Sequence, residues 1–214
     1  MKEMNKGIYE ELFERYPCLL NIKQNILNTF EIIKETYKNS GMLYCAGNGG
    51  SASDSEHIVG ELLKSFKKHR AIDEMTTSNL LKYGKDGEYL LSKLEGSLPA
   101  VSLISQTSIL TAFANDRAWD TAIAQQLYGL GKEGDCLLVL STSGNSKNCV
   151  YAAMVAKAKG MKTIAFTGEM GGRLKEICDE CICAPEKETY KIQELHLPIY
   201  HCLCAMLEEE FFSY

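Results

Sequence analysis

His57 and Glu61 lie four residues apart in the stretch Cys45–Lys64, CAGNGGSASDSEHIVGELLK. An i, i+4 pair shares one face of a helix. On its own such a pair is most often a solvated surface contact. Here a polar glycine loop, Gly47-Asn48-Gly49-Gly50-Ser51, stands just upstream, at what reads as the start of that helix. A second loop, Ser141-Thr142-Ser143-Gly144-Asn145-Ser146, packs four hydroxyls around a glycine ahead of another helix-like run. Hydroxyls and free backbone N–H groups at a helix N-terminus suit a phosphate, and the helix dipole adds to the attraction. A plain N-cap needs one such residue; four exceed it. Neither loop carries the Walker lysine, and GNGGS lacks the dinucleotide spacing G-x-G-x-x-G. A phosphorylated small molecule fits better than a nucleotide.

The elements that must position these loops follow from periodicity. Residues 8–40 repeat apolar positions near 3.6, predicting one long helix that Gly41 ends. Short apolar runs at 42–46, 100–104, 135–140, 162–166 and 181–183 read as strands. The third is apolar throughout, as a strand covered on both faces should be. Helical stretches fall at 50–66, 106–113, 118–130, 148–159, 173–178 and 189–212. This alternation predicts an α/β fold: a doubly wound, five-stranded, mostly parallel sheet flanked by helices. Ligands in such sheets bind beyond the carboxyl ends of the strands, where both polar loops fall. We find no internal repeat and no linker, so the expectation is one domain over 1–214, with an N-terminal helical segment 1–40. Residues 67–97 are polar and locally helical.

Composition narrows the function classes. The chain has 214 residues, 45% hydrophobic, 24% charged, with a net charge of -5. That suffices for one good core and argues against a nucleic-acid surface. The densest basic run, KSFKKHR at 64–70, is explained by one solvated helix end as well as by a phosphate tract. No window of about 18 apolar residues suggests a membrane span, and the N-terminus lacks a signal-peptide core; a cytoplasmic protein is expected. The nine cysteines read as reduced structural thiols. Cys178, Cys181 and Cys183 would make half a zinc site, but a second pair with ribbon spacing is missing.

GNGGSASDSEH…GEL, STSGNS, TGEMGG and YKIQELH…H, in that order, resemble the SIS-fold phosphoheptose isomerases. The likeness covers about 40–66 and 98–212. It implies an aldose–ketose isomerase that converts sedoheptulose 7-phosphate to D-glycero-D-manno-heptose 7-phosphate for nucleotide-heptose synthesis. It also implies a zinc ion held by His57, Glu61, Gln193 and His201. In such an isomerisation a base removes a proton beside a carbonyl and the enediol is reprotonated at the neighbouring carbon. Glu61 is then the base. His201 is the acid/base partner, its ordinary pKa being near working pH. Gln193 orients the sugar or ion. Ser51, Ser141, Thr142, Ser143 and Ser146 hold the phosphate, while Asn48, Gly49, Gly50, Asn115 and Asp116 match positions that line the sugar. Eight residues of helix span about 12 Å, so Gln193 and His201 share an ion only if their side chains lean together or the helix is irregular. His201 otherwise sits in an apolar run, LPIYHCLCAML, where a histidine is ordinarily core; His196 reads as structural or supporting and His69 as surface.

The resemblance further implies a homotetramer with active sites between subunits, for which the apolar first and last helices are the expected interface. Two departures bear on the exact sugar. Segment 67–97 is longer than in better-known relatives and reads as a helical insertion, and Tyr190 stands where some relatives carry an acidic residue. A non-catalytic SIS module, binding sugar phosphate for regulation or associating with a replication initiator, is the competing reading. It would need the serine loop but not Glu61 and His201. A third is a related enzyme acting on another sugar phosphate.

Overall fold

The computed structural model describes residues 3–212. Five strands form one parallel sheet in the order β2-β1-β3-β4-β5. They are β1 (Leu43–Gly47), β2 (Ala100–Ser102), β3 (Cys136–Leu140), β4 (Lys162–Gly168) and β5 (Glu180–Ala184). The strands alternate faces as the pleat requires. Leu43, Cys45, Cys136, Leu138, Leu140, Ile164, Phe166 and Ile182 face one apolar layer. It is filled by helices α1 (Glu3–Arg15), α2 (Lys23–Lys38), α3 (Gly50–Leu63) and α10 (Thr189–Phe211). Tyr44, Ala46, Leu137, Val139, Ala165 and Cys181 face the other. That layer is filled by α6 (Thr107–Asp116), α7 (Ala122–Leu130), α8 (Lys147–Ala158) and α9 (Gly172–Ile177). The sequence reading of a doubly wound α/β sheet therefore holds.

The differences have physical causes. The single helix expected over 8–40 is two, α1 and α2, joined by a 3-10 turn at Pro17–Ile22. Pro17 stands at the start of that turn, where its missing N–H costs least, and it cannot continue α1. The helix expected to run to Phe66 stops at Leu63. Arg70 terminates it: its guanidinium donates to the carbonyls of Glu61 and Leu62, at 2.9 and 2.6 Å, which the helix leaves unpaired. Arg70 is 0% exposed and bonds the 1% exposed Glu208 of α10 at 2.8 Å. Glu208 also accepts from the backbone N–H groups of Phe66, Lys67 and Lys68. The basic run 64–70 is thus more than a solvated helix end. Its last residue, Arg70, is a buried clamp between α3 and α10, while Lys64, Lys67 and His69 remain exposed.

Residues 71–95 leave this clamp as two short helices, α4 (Glu74–Leu80) and α5 (Lys85–Leu91). α4 buries none of its residues and α5 only Gly87. Met75 is 73% and Tyr83 72% exposed. The chain returns where the Gly96 N–H donates to the Arg70 carbonyl at 2.9 Å.

The apolar faces of α1 and α10 pack on each other within the chain, so their composition alone does not call for a partner. Among the described residues no helix is long and apolar enough to cross a membrane. All nine cysteines are free, six of them buried.

Candidate active site

Helix α3 carries functional groups at both ends. Its N-terminus follows β1 directly, and α8 follows β3 in the neighbouring position of the sheet. Neither helix is capped by a side chain: the cap residue of α3 is Gly49, which has none, and the Ser146 hydroxyl at α8 makes no capping hydrogen bond. The Ser51 and Ala52 N–H groups donate to the Asn48 and Gly49 carbonyls and the Cys149 N–H to Asn148 Oδ1, each at 3.0 Å, which leaves the N–H groups at the very start of each helix to face an anion. The Ser141 hydroxyl donates instead to the Ser146 hydroxyl at 3.0 Å, and the Asn145 N–H donates to Ser143 Oγ at 3.2 Å. The hydroxyls are organised around the loop rather than spent on the helix end.

The loop is braced from below by Gly168–Gly172. The Gly168 N–H donates to the Thr142 carbonyl at 2.9 Å, and the Leu174 N–H to the Gly144 carbonyl at 3.0 Å. Gly144 has φ 66°, and a Cβ there would lie 1.9 Å from the Gly171 carbonyl oxygen, so only glycine fits. His196, on α10, reaches the Thr167 carbonyl through Nε2 at 3.2 Å. Burial lowers its pKa to about 4, against the opposing pull of that carbonyl.

Asn48 joins the two loops. Its amide and that of Asn148 exchange two hydrogen bonds, 2.9 and 2.7 Å, so Asn48 acts as a strut between α3 and α8. Asn148 was not singled out in the sequence; an asparagine in a helix's first turn reads as ordinary capping chemistry. Gln193, from α10, lies with Nε2 3.5 Å from Ser51 Oγ. It covers Gly50, where a Cβ would come within 2.8 Å of the amide.

The second cluster lies farther along α3. His57 Nε2 is 3.1 Å from Glu61 Oε1 and 3.5 Å from His201 Nε2. The Lys64 ammonium donates to the other Glu61 oxygen at 3.0 Å. The rings of His57 and His201 meet edge to face with centroids 5.0 Å apart. Burial lowers the His201 pKa, the nearby His57 lowers it further, and Glu61 opposes both. His201 also borders a cavity of about 390 Å³ between α1 and α10, with Arg15, Phe66 and Lys67 on its walls. Behind His57, the Tyr200 hydroxyl sits 3.0 Å from Nδ1 and donates to Asp54 Oδ1 at 3.2 Å. Burial raises the Asp54 pKa, partly offset by the Tyr200 hydrogen bond and His57.

The structure thus brings His57, Glu61 and His201 together, and groups Asn48, Ser51 and Gln193 apart from them. Asn115 and Asp116 stand exposed at the end of α6, the Asn115 amide donating to Asp116 Oδ1 at 2.9 Å. α3 and α10 run in parallel, since Ser51 meets Gln193 and His57 meets His201. The eight residues from Gln193 to His201 therefore remain extended along the helix axis. Among the described residues no three His, Cys, Asp or Glu side chains form a group that could hold a metal ion. Within one chain the implied zinc quartet does not fit a single ion.

Two polar loops lie at the carboxyl edge of a parallel sheet, with a His–Glu–His cluster on the adjoining helices, in the α/β arrangement of a SIS domain. The SIS domain family model matches residues 90–168. The chain is similar to the phosphoheptose isomerase of Nitratiruptor sp., 40% identical over 177 residues that cover 83% of this chain and 81% of that one. It is 36% identical over 203 residues to that of Aneurinibacillus thermoaerophilus, covering 90% of each. The solved phosphoheptose isomerase of Francisella tularensis superposes with a TM-score of 0.75 at 26% identity, over 98% of this chain and 100% of that one. The chain belongs to the phosphoheptose isomerase family and is a sugar-phosphate isomerase.

Proposed function

We propose that the enzyme interconverts sedoheptulose 7-phosphate and D-glycero-D-manno-heptose 7-phosphate through an enediol, in the supply of heptose for nucleotide-heptose synthesis. The observation that carries the chemistry is the meeting of His57 and Glu61 with His201, from helices distant in sequence, in a chain that also carries a hydroxyl-lined anion loop. Glu61 removes the proton from C1 of the ketose and returns it to C2. His201 moves the proton between the two oxygens, and burial keeps it neutral to lower pH than a free imidazole. Ser51, Ser141, Thr142, Ser143 and Ser146 hold the phosphate, and Gln193 orients the sugar at that end. A sugar-phosphate-binding regulator would need this loop but has no use for a carboxylate and two imidazoles.

The distance between the two ends adds a condition. Ser51 and Glu61 are ten residues apart on α3, about 15 Å of helix rise. An extended heptulose 7-phosphate spans roughly 9 Å from phosphorus to C2 at ordinary bond lengths. We infer that one subunit anchors the phosphate while a neighbouring subunit supplies Glu61 and His201, in a homotetramer. A zinc ion on the resembled quartet would likewise need Gln193 from a neighbouring subunit.

Incubation of the purified protein with sedoheptulose 7-phosphate should yield the aldoheptose phosphate; a folded protein without turnover on it sinks this substrate. Subunit complementation tests the shared site. Glu61→Gln and a Ser141→Ala/Ser146→Ala double variant should each be impaired alone. Mixed oligomers, formed by co-expression, should regain part of the activity. No regain in verified mixed oligomers would place the whole site in one chain.

A further inference from the structure

We propose that Tyr200, backed by Asp54, is a positioning residue for the base: it holds the His57 ring so that the Nε2 edge faces Glu61 and His201. The proposal rests on the reading in which Glu61 is the base.

Tyr200 is 1% exposed. A buried hydroxyl without a partner costs free energy, so its partners decide why it is there. They are His57 Nδ1 at 3.0 Å and Asp54 Oδ1 at 3.2 Å. A phenol has a single proton. With that proton given to the Asp54 carboxylate, the phenolic oxygen accepts from His57 Nδ1–H. Nε2 then presents a lone pair, and its 3.1 Å contact with Glu61 Oε1 is a hydrogen bond once Glu61 carries the proton it takes from the sugar. The hydrogen bond at one ring nitrogen fixes what the other presents. The two rings also pack edge to face, centroids 5.4 Å apart at 73°, which restrains the imidazole plane.

Local geometry makes this arrangement. Asp54, His57 and Glu61 are spaced three and four apart on α3 and so share one face. Tyr200 and His201 are consecutive on α10, with ring centroids 5.0 Å apart, and both abut His57. The Asp54 Oδ2 atom is buried with no hydrogen-bond partner, so the hydrogen bond that orients this carboxyl is the one from Tyr200. The result is a line of contacts, Asp54 to Tyr200 to His57 to Glu61, whose last link becomes a hydrogen bond when Glu61 is protonated. It runs from a half-buried carboxyl to the carboxylate of the base. A histidine that is 42% exposed at its side chain would otherwise rotate freely about χ2.

The test is a set of single variants assayed on sedoheptulose 7-phosphate. Tyr200→Phe keeps the ring and removes the hydroxyl. Its kcat should fall about 10–100-fold, as when groups that orient a functional histidine are lost, with KM within about twofold because the phosphate end is untouched. Asp54→Asn keeps an acceptor oxygen and should retain kcat within about threefold, whereas Asp54→Ala should match Tyr200→Phe. A hydroxyl that merely supports packing would not distinguish the two Asp54 variants. Circular dichroism melts establish that each variant is folded; should Tyr200→Phe not fold, the Asp54 pair decides. The proposal is overturned by wild-type kcat in folded Tyr200→Phe, or by Asp54→Asn falling as low as Asp54→Ala. An active Glu61→Gln would instead sink the reading of Glu61 as the base.

Discussion

The two ends of α3 are built from different materials. The N-terminal end offers backbone N–H groups, hydroxyls and amides, braced by glycines and by the Asn48–Asn148 strut. The second cluster, toward the C-terminal end, holds two imidazoles, a carboxylate and an ammonium, set beside a fully buried ion pair. The first binds charge with groups that stay neutral, so its geometry survives changes of pH and salt. The second holds groups that can exchange protons, and it needs tertiary contacts to keep them facing each other, since the His57 side chain is 42% exposed. Binding and chemistry should therefore fail separately when each end is damaged.

The largest break is expected at Glu61. Glu61→Gln should lower kcat about a thousandfold, roughly 4 kcal/mol in the barrier, while equilibrium binding of the sugar phosphate stays within about threefold by calorimetry. Next comes the clamp. Glu208→Gln leaves Arg70 buried and unpaired and should cost about 3–5 kcal/mol of stability in urea unfolding.

A pH titration of stability sharpens the comparison from beneath the phosphate end. The His196 pKa is lowered to about 4 in the folded state and returns to about 6.5 when unfolded. Between those values the unfolded chain binds more protons, so stability falls as pH drops from about 6.5 toward 4, by about 3 kcal/mol at most. His196→Phe, which keeps a ring against Phe166, should flatten that limb; an unchanged slope would assign it to other groups. The smallest effect is expected at the serine loop: Ser146→Ala should raise KM about tenfold with kcat within about threefold. A matching fall in kcat alone would join the two ends into one function.

Much of this was legible before any coordinates. Strand and helix periods, the two polar loops and the spacing of His57 and Glu61 are local properties, and each stands where local physics puts it. What stayed hidden depends on distant partners. Arg70 looked like one more surface cation because Glu208 lies 138 residues away. Tyr200 sits in the apolar run LPIYHCLCAML, where period alone reads a core aromatic and says nothing of a hydroxyl aimed at His57. Asn148 resembled a capping residue, and its partner is 100 residues upstream. Pro17 is the exception: a helix-breaking signal was present, and the apolar repeat around it outweighed it in the reading.

The excursion through α4 and α5 departs and rejoins at one backbone hydrogen bond, from Gly96 to Arg70. The exposed faces of α4 and α5 can change composition while α3 and β2 stay tied by Arg70 and by the Leu98 N–H on the Leu62 carbonyl at 2.9 Å. Substitutions of the exposed Met75 and Tyr83 should therefore leave the packing of α3 on α10 unchanged.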